Sequence, residues 1–252
     1  MRSKNTTKKL KYTGTTTNSA IKMKNLYNKI ILLVIISTLS VQCKSMDTTS
    51  QDNITQDNIV EAVSKGELAT AKNLLTAGAD ANQKSKDSKP LLLIATEKKD
   101  LAMAKLLLEH GANVNLQDNI LNSPFLYAGA LGYTELVKLY LNYGADFTVF
   151  NRYNGTALIP ACERGHIETV RLLTHTKGFP IDHINRLGWT ALLEAIILGD
   201  GSQKYVDIVQ LLLDANSDKN IADHEGVTPL QHARKKGFTK IASLLETKDN
   251  HQ

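Results

Sequence analysis

Between residues 57 and 246, leucine-rich clusters alternate with glycine-centred turns. "LLTAGADAN" at Leu74–Asn82 returns as "LLEHGANVN" at Leu107–Asn115 and as "YLNYGADFT" at Tyr140–Thr148, so Gly78, Gly111 and Gly144 stand 33 residues apart. A second series keeps the same beat: "SPFLYAGALGY" from Ser123, "TALIPACERGH" from Thr156, "TALLEAIILGD" from Thr190 and "TPLQHARKKGF" from Thr228, at spacings of 33, 34 and 38. Stepping back by 33 from Ser123 reaches Pro90 and then Asp57. Self-similarity at such a period is the mark of stacked supersecondary units. Within each unit the pattern predicts two short helices. Thr156 or Thr228 caps the first by accepting a free backbone N–H. Leu158, Ala161 and Cys162 fall on its inward face, and Gly132, Gly165, Gly199 or Gly237 ends it in a left-handed conformation. The second helix, such as Ile167–Thr174, buries Val170, Leu172 and Leu173. No unit can bury both faces alone, so six stacked units make one continuous core.

The period of 33, the segment Thr228-Pro229-Leu230, "GHIETVRLL" at Gly165–Leu173 and the Gly-Ala-Asp/Asn turns together resemble the ankyrin repeat family. The resemblance covers about residues 57–246. It implies an all-α ankyrin repeat solenoid of about six helix-turn-helix repeats joined by β-turn tips. It also implies a non-catalytic scaffold that holds a protein partner through the turn tips and the concave face of the first helices.

Departures from the pattern carry their own expectations. Lys99 stands where other repeats have a left-handed glycine, and Asn216 takes the place of a later one. Lys177 is a one-residue insertion, and Asp200–Lys204 a five-residue insertion between the helices of repeat five. Pro160, one turn into a first helix, removes a backbone bond to Thr156, so that helix starts late or bends. The end repeats read as solvated caps, with Glu61, Ser64 and Lys65 at one end and Arg234, Lys235, Lys236 and Lys240 at the other.

Charge alters the picture outside the repeats. The chain of 252 residues has a formal net charge of +5, which alone points to nucleic acid or a membrane surface. Eight basic side chains and no acid lie in residues 1–43, leaving 22 basic and 25 acidic residues, a net of −3, in residues 44–252. The repeats are therefore slightly acidic, which argues against nucleic acid. Ile30–Gln42 is an uncharged run that opens with "IILLVII", preceded by Lys24 and Lys29. It is shorter than the roughly 20 residues of a membrane span and has the form of a secretory signal. "MKNLYNKIILLVIISTLSVQC", from Met23, is a complete signal peptide by itself, which makes residues 1–22 a basic leader or a mis-assigned start. Cys43 resembles the lipid-attachment cysteine of bacterial lipoproteins, although Gln42 replaces the usual small residue before it. The polar segment 44–56 suits a flexible tether, ahead of repeats at 57–246 and a tail at 247–252. The expected location is the bacterial envelope or periplasm, with a lipid anchor in the membrane. A soluble periplasmic regulator or protector of an enzyme, or an effector binding host proteins, remains an alternative.

Nothing in the chain has the spacing of a phosphate loop, a nucleophile elbow or a zinc site, and no cofactor, metal or catalytic residue is expected. The chain is expected to be a monomer. The histidines fall at different repeat positions, and Cys162 reads as a core thiol. Candidate partner contacts follow from the resemblance. At the tips these include Asn119, Ile120, Arg152, Tyr153, Arg186, Leu187, Trp189, His224 and Glu225. On the first helices they include Tyr127, Leu131, Glu163, Arg164, Glu194, Ile197, Leu198, His232 and Lys235. Tyr153, Arg186 and Trp189 lie on successive tips, and aromatic and arginine side chains anchor interfaces more often than their share. Glu163 and Glu194 occupy neighbouring first-helix sites, where they form an acidic spot facing Arg164.

Overall fold

A computed structural model describes residues 58–246. The basic leader, the apolar run with Cys43, the tether and the tail all lie outside the described residues. Among the described residues, twelve helices follow one another in six pairs: α1 (58–65) with α2 (Leu68–Thr76), α3 (Leu91–Glu97) with α4 (Leu101–Glu109), α5 (Pro124–Ala130) with α6 (Thr134–Asn142), α7 (Leu158–Arg164) with α8 (Ile167–Thr174), α9 (Ala191–Ile197) with α10 (Gln203–Asp214), and α11 (Pro229–Lys235) with α12 (Thr239–Glu246). First helices pack on first helices from α3 through α11. Second helices pack on second helices from α2 through α12. The core lies between these two layers. No β-strand occurs among the described residues; Lys84 and Pro90 form a single antiparallel bridge.

The amphipathic pattern assigns the layers correctly. Leu158, Ala161 and Cys162 are all fully buried, as are Val170 and Leu173, whereas Leu172 is only half-buried. A chain of rings, Phe125, Phe147 and Phe179, runs through consecutive repeats with centroids 6.1 and 4.9 Å apart. Deeper still, Thr96 Oγ1 donates to Leu92 O at 2.6 Å. Its one hydrogen is spent there, so the Tyr140 hydroxyl, 2.6 Å away, is the donor to Thr96.

Most helix starts follow their caps. Ser123, Thr190 and Thr228 each accept from the backbone N–H three residues on, and Gln231 completes a capping box with Thr228. Thr156 does not. Elsewhere the cap carbonyl accepts the fourth N–H onward: Tyr127 to Ser123, Glu194 to Thr190, His232 to Thr228. In repeat four that donor is Pro160, which has no N–H. Helix α7 therefore begins one residue late, at Leu158, with Ala157 preceding it, and the buried Thr156 Oγ1 has no hydrogen-bond partner. The expected late start is present; the expected Thr156 cap is absent for the same reason.

Two further expectations need correction. Gly199 is not left-handed; Gly201 takes that role at φ +73°. Gly199 is needed instead because a side chain there would run into the Ala195 carbonyl. The insertion in repeat five is also not a simple loop. Two of its residues lengthen the path from Thr190 to the left-handed glycine, and the rest wind into α10, which has 12 residues where α4 and α6 have nine. The extra turn carries Tyr205 back over repeat four, where its hydroxyl donates to Glu163 O at 2.8 Å.

Neighbouring repeats are joined by side-chain rungs. Asn82 Nδ2 donates to Gly111 O at 3.0 Å while its Oδ1 accepts from Asn113 N at 2.8 Å. One repeat on, Asn115 does the same with Gly144 O and Asp146 N. Asp182 accepts from Asp218 N and from Ser217 Oγ. Between repeats three and four the rung is missing. Thr148 stands in the asparagine position and turns back to Asp146, and the residue that would donate its N–H is Pro180.

Candidate functional site

Each tip is built alike. In repeats three to six the first tip residue (Asp118, Asn151, Asn185 or Asp223) accepts from the N–H groups two and four residues on. The fourth residue is left-handed: Leu121, Asn154, Gly188 and Gly226. One side-chain atom of the first tip residue remains; in repeat three Asp118 Oδ2 accepts from Asn122 Nδ2 at 3.5 Å, and in the next three repeats its fate depends on the residue nine places on. In repeat six, Asp223 Oδ2 pairs with His232 Nε2 at 2.7 Å. In repeat five, Asn185 Nδ2 donates to Glu194 Oε1 at 2.9 Å. In repeat four, Pro160 occupies that place, and Asn151 Nδ2 has no partner among the described residues.

A cavity of about 270 Å³ opens where these tips meet α7 and α9. The tip residues Asn151, Tyr153, Gly155, Asn185 and Leu187 form one wall, and Ile159, Pro160, Glu163, Glu194 and Leu198 the other. Glu194 is only 5% exposed. Burial, reinforced by the Glu163 charge and opposed by the Asn185 hydrogen bond, pushes its carboxyl up to about 7. Tyr153, Leu187 and Leu198 are each 48% exposed around it.

A second cavity, of about 220 Å³, lies one repeat back, between the tips of repeats three and four. Asn122, Tyr127 and Leu131 line it from one side, Arg152 and Arg164 from the other, and Asn151 belongs to both cavities. Arg164 Nη1 donates to Ala130 O at 2.7 Å, and Arg152 lies over the Tyr153 ring at 4.9 Å. Arg164 makes no ion pair with either glutamate, so the expected arrangement of an acidic spot facing it is replaced by two cavities of opposite charge.

Of the candidate contacts, the structure brings Tyr153, Glu163, Leu187 and Glu194 into one cavity. Ile120 projects from the neighbouring tip, 54% exposed. Arg186 is exposed while its N–H donates to Tyr153 O at 2.8 Å, tying one tip to the next. Trp189 is half-buried at the base of its tip, outside both cavities, and His232 is held by Asp223. Sequence reasoning missed Asn151 and Asn185. The signal was present as an Asx residue five places before each first-helix cap. Cys162 is buried beside Glu194, and burial pushes its thiol well above the usual range.

A stack of helix pairs that presents aligned turn tips and inter-repeat cavities defines a repeat scaffold for binding. The ankyrin repeat pattern, described as "Ankyrin repeats (3 copies)", matches residues 59–151 and again 125–223. The chain belongs to the ankyrin repeat family, whose members are protein–protein interaction scaffolds. It is 49% identical over 89 residues to the putative ankyrin repeat protein YahD of Escherichia coli (strain K12), a stretch that is 35% of this chain and 44% of that protein's length. Among solved structures it resembles an ankyrin repeat domain (ABAYE2397) from Acinetobacter baumannii AYE, with 46% identity and a TM-score of 0.72 over 74% of this chain and 95% of that one. It also resembles the ankyrin repeat protein EF0377, with 38% identity and a TM-score of 0.74 over 77% of this chain and 98% of that one.

Proposed function

We propose that the protein is a non-catalytic scaffold that is exported to the bacterial envelope, anchored through a lipid on Cys43, and holds a protein partner on the tips and first helices of repeats three to six. The observation that carries the binding surface is the alignment of two cavities with exposed Ile120, Tyr153, Leu187 and Leu198 along one edge of the stack. Apolar groups left in water beside concave, partly polar sites mark contact surfaces. Tyr153, Arg186 and Trp189 anchor the partner from successive tips, and His232 extends the surface into repeat six. The anchor reading is supported by the run Ile30–Gln42, the basic residues before it and the polar stretch after Cys43.

Affinity capture from the native envelope tests the surface. Trp189→Ala with Arg186→Ala abolishes capture and leaves the helical signal intact; undiminished capture removes these residues from the interface. Labelled fatty acid enters the protein and is lost in Cys43→Ser; labelling that survives the change refutes lipidation there.

A further inference from the structure

We propose that the two cavities read opposite charges on one extended segment of the partner. The Glu163–Glu194 cavity takes a lysine or arginine side chain, and the Arg152–Arg164 cavity takes an aspartate or glutamate about three positions away. This rests on the reading of tips and first helices as the binding surface.

Three observations converge on it. First, the charges lining the cavities are uncompensated. Neither Glu163, Glu194, Arg152 nor Arg164 stands in an ion pair with any described residue. Glu194, nine-tenths buried, receives one hydrogen bond, at Oε1, and its second oxygen has no partner among the described residues. A buried carboxylate left in that state favours a cation that completes its shell. Second, the walls suit a side chain and no more. At about 270 Å³ the acidic cavity is smaller than a typical drug-sized site. Leu187 and Leu198 offer apolar surface beside the carboxylates, the arrangement that receives a methylene stem below a charged head. Third, Asn151 sits in the wall common to both cavities, with its oxygen fixed by Tyr153 N and Gly155 N and its Nδ2 free among the described residues. That donor is placed for a backbone carbonyl of the segment between the two charged side chains. Adjacent helices lie roughly 8–10 Å apart, and an extended chain advances about 3.3 Å per residue, which sets the spacing near three.

The probes are capped peptides containing Arg-Ala-Ala-Asp or Asp-Ala-Ala-Arg, titrated into the full chain up to about 5 mM and followed by amide shifts, since contacts of this size give affinities near the millimolar scale. One of the two orders shifts the Gly155 and Leu198 amides and binds at least fivefold more tightly than Arg-Ala-Ala-Arg or Asp-Ala-Ala-Asp. Glu194→Gln with Glu163→Gln removes the preference for arginine, and Arg164→Ala removes that for aspartate, with helical content unchanged. Equal binding when norleucine replaces arginine overturns the proposal, as does the absence of shifts at the highest concentration. Calcium chloride displacing the peptide from an unaltered stack reassigns the carboxylates to a metal and overturns it too. If the peptides fail to discriminate while the Trp189 and Arg186 changes still abolish capture, the charge code falls and the binding surface stands.

Discussion

At the scale of single residues, the departures from the repeat pattern explain most of what is particular to this chain. Glu194 is the clearest. Its carboxyl is raised from the ordinary 4.5 to about 7, so the folded chain holds that proton more tightly than the unfolded chain does. The sign follows: stability falls as pH rises from about 4.5 to about 7, and the loss is complete above that window. Glu194→Gln keeps an oxygen for Asn185 Nδ2 and removes the charge. Urea unfolding at pH 8 is expected to show the variant more stable by about 2 kcal/mol, with the gap closing towards pH 5. Thr156 is the second case. Thr190→Val removes a working cap and costs about 1 kcal/mol, whereas Thr156→Val deletes a buried hydroxyl that has no partner and is neutral or stabilising in the same assay. The buried carboxylate was visible in the sequence only as a glutamate on a first helix. Its raised carboxyl comes from burial, with the Glu163 charge on the adjacent repeat adding to it and the Asn185 hydrogen bond opposing it, and no local pattern reports that neighbourhood.

At the scale of helices and turns, much more was legible. The bounds of α8, the buried faces and the late start of α7 follow from periodicity and from one proline. The left-handed positions follow wherever a single residue type marks them. Lys99 adopts φ +56° in the place that Gly132 and Gly165 fill elsewhere, and its ammonium lies over the Tyr133 ring at 5.2 Å. Lys99→Gly is expected to raise stability by about 1 kcal/mol on relief of that conformation, read as a higher melting temperature. What was not legible is how the repeat-five insertion divides between loop and helix. A stretch of five polar and small residues carries no amphipathic signal of its own. Its last residues became helical because Tyr205 and Val206 have a core to enter. Gly199 misled for a related reason: a recurring glycine does not say whether φ or close approach requires it, and here the Ala195 carbonyl does.

At the scale of the whole molecule, nearest-neighbour terms between repeats add to the stability of each repeat. The rungs are one such term, and they differ along the stack. Asn115→Ala breaks two hydrogen bonds between repeats two and three and is expected to cost about 1–2 kcal/mol, while Thr148→Ala costs less than about 0.5 kcal/mol. Denaturant melts of the two variants side by side make the comparison. The rungs were hidden in the sequence inside ordinary-looking turns, because the partners of Asn82 and Asn115 lie about 30 residues away. The missing rung has a mechanical meaning. Thr148 and Pro180 leave the third and fourth repeats without that rung, so Phe147 against Phe179, Thr134 against Thr169 and Arg164 against Ala130 carry the junction, and the arginine-lined cavity opens across the same interface. A partner segment spanning both cavities, as proposed above, would touch the tips of repeats three, four and five at once and so supply across this junction the cross-link that the missing rung does not.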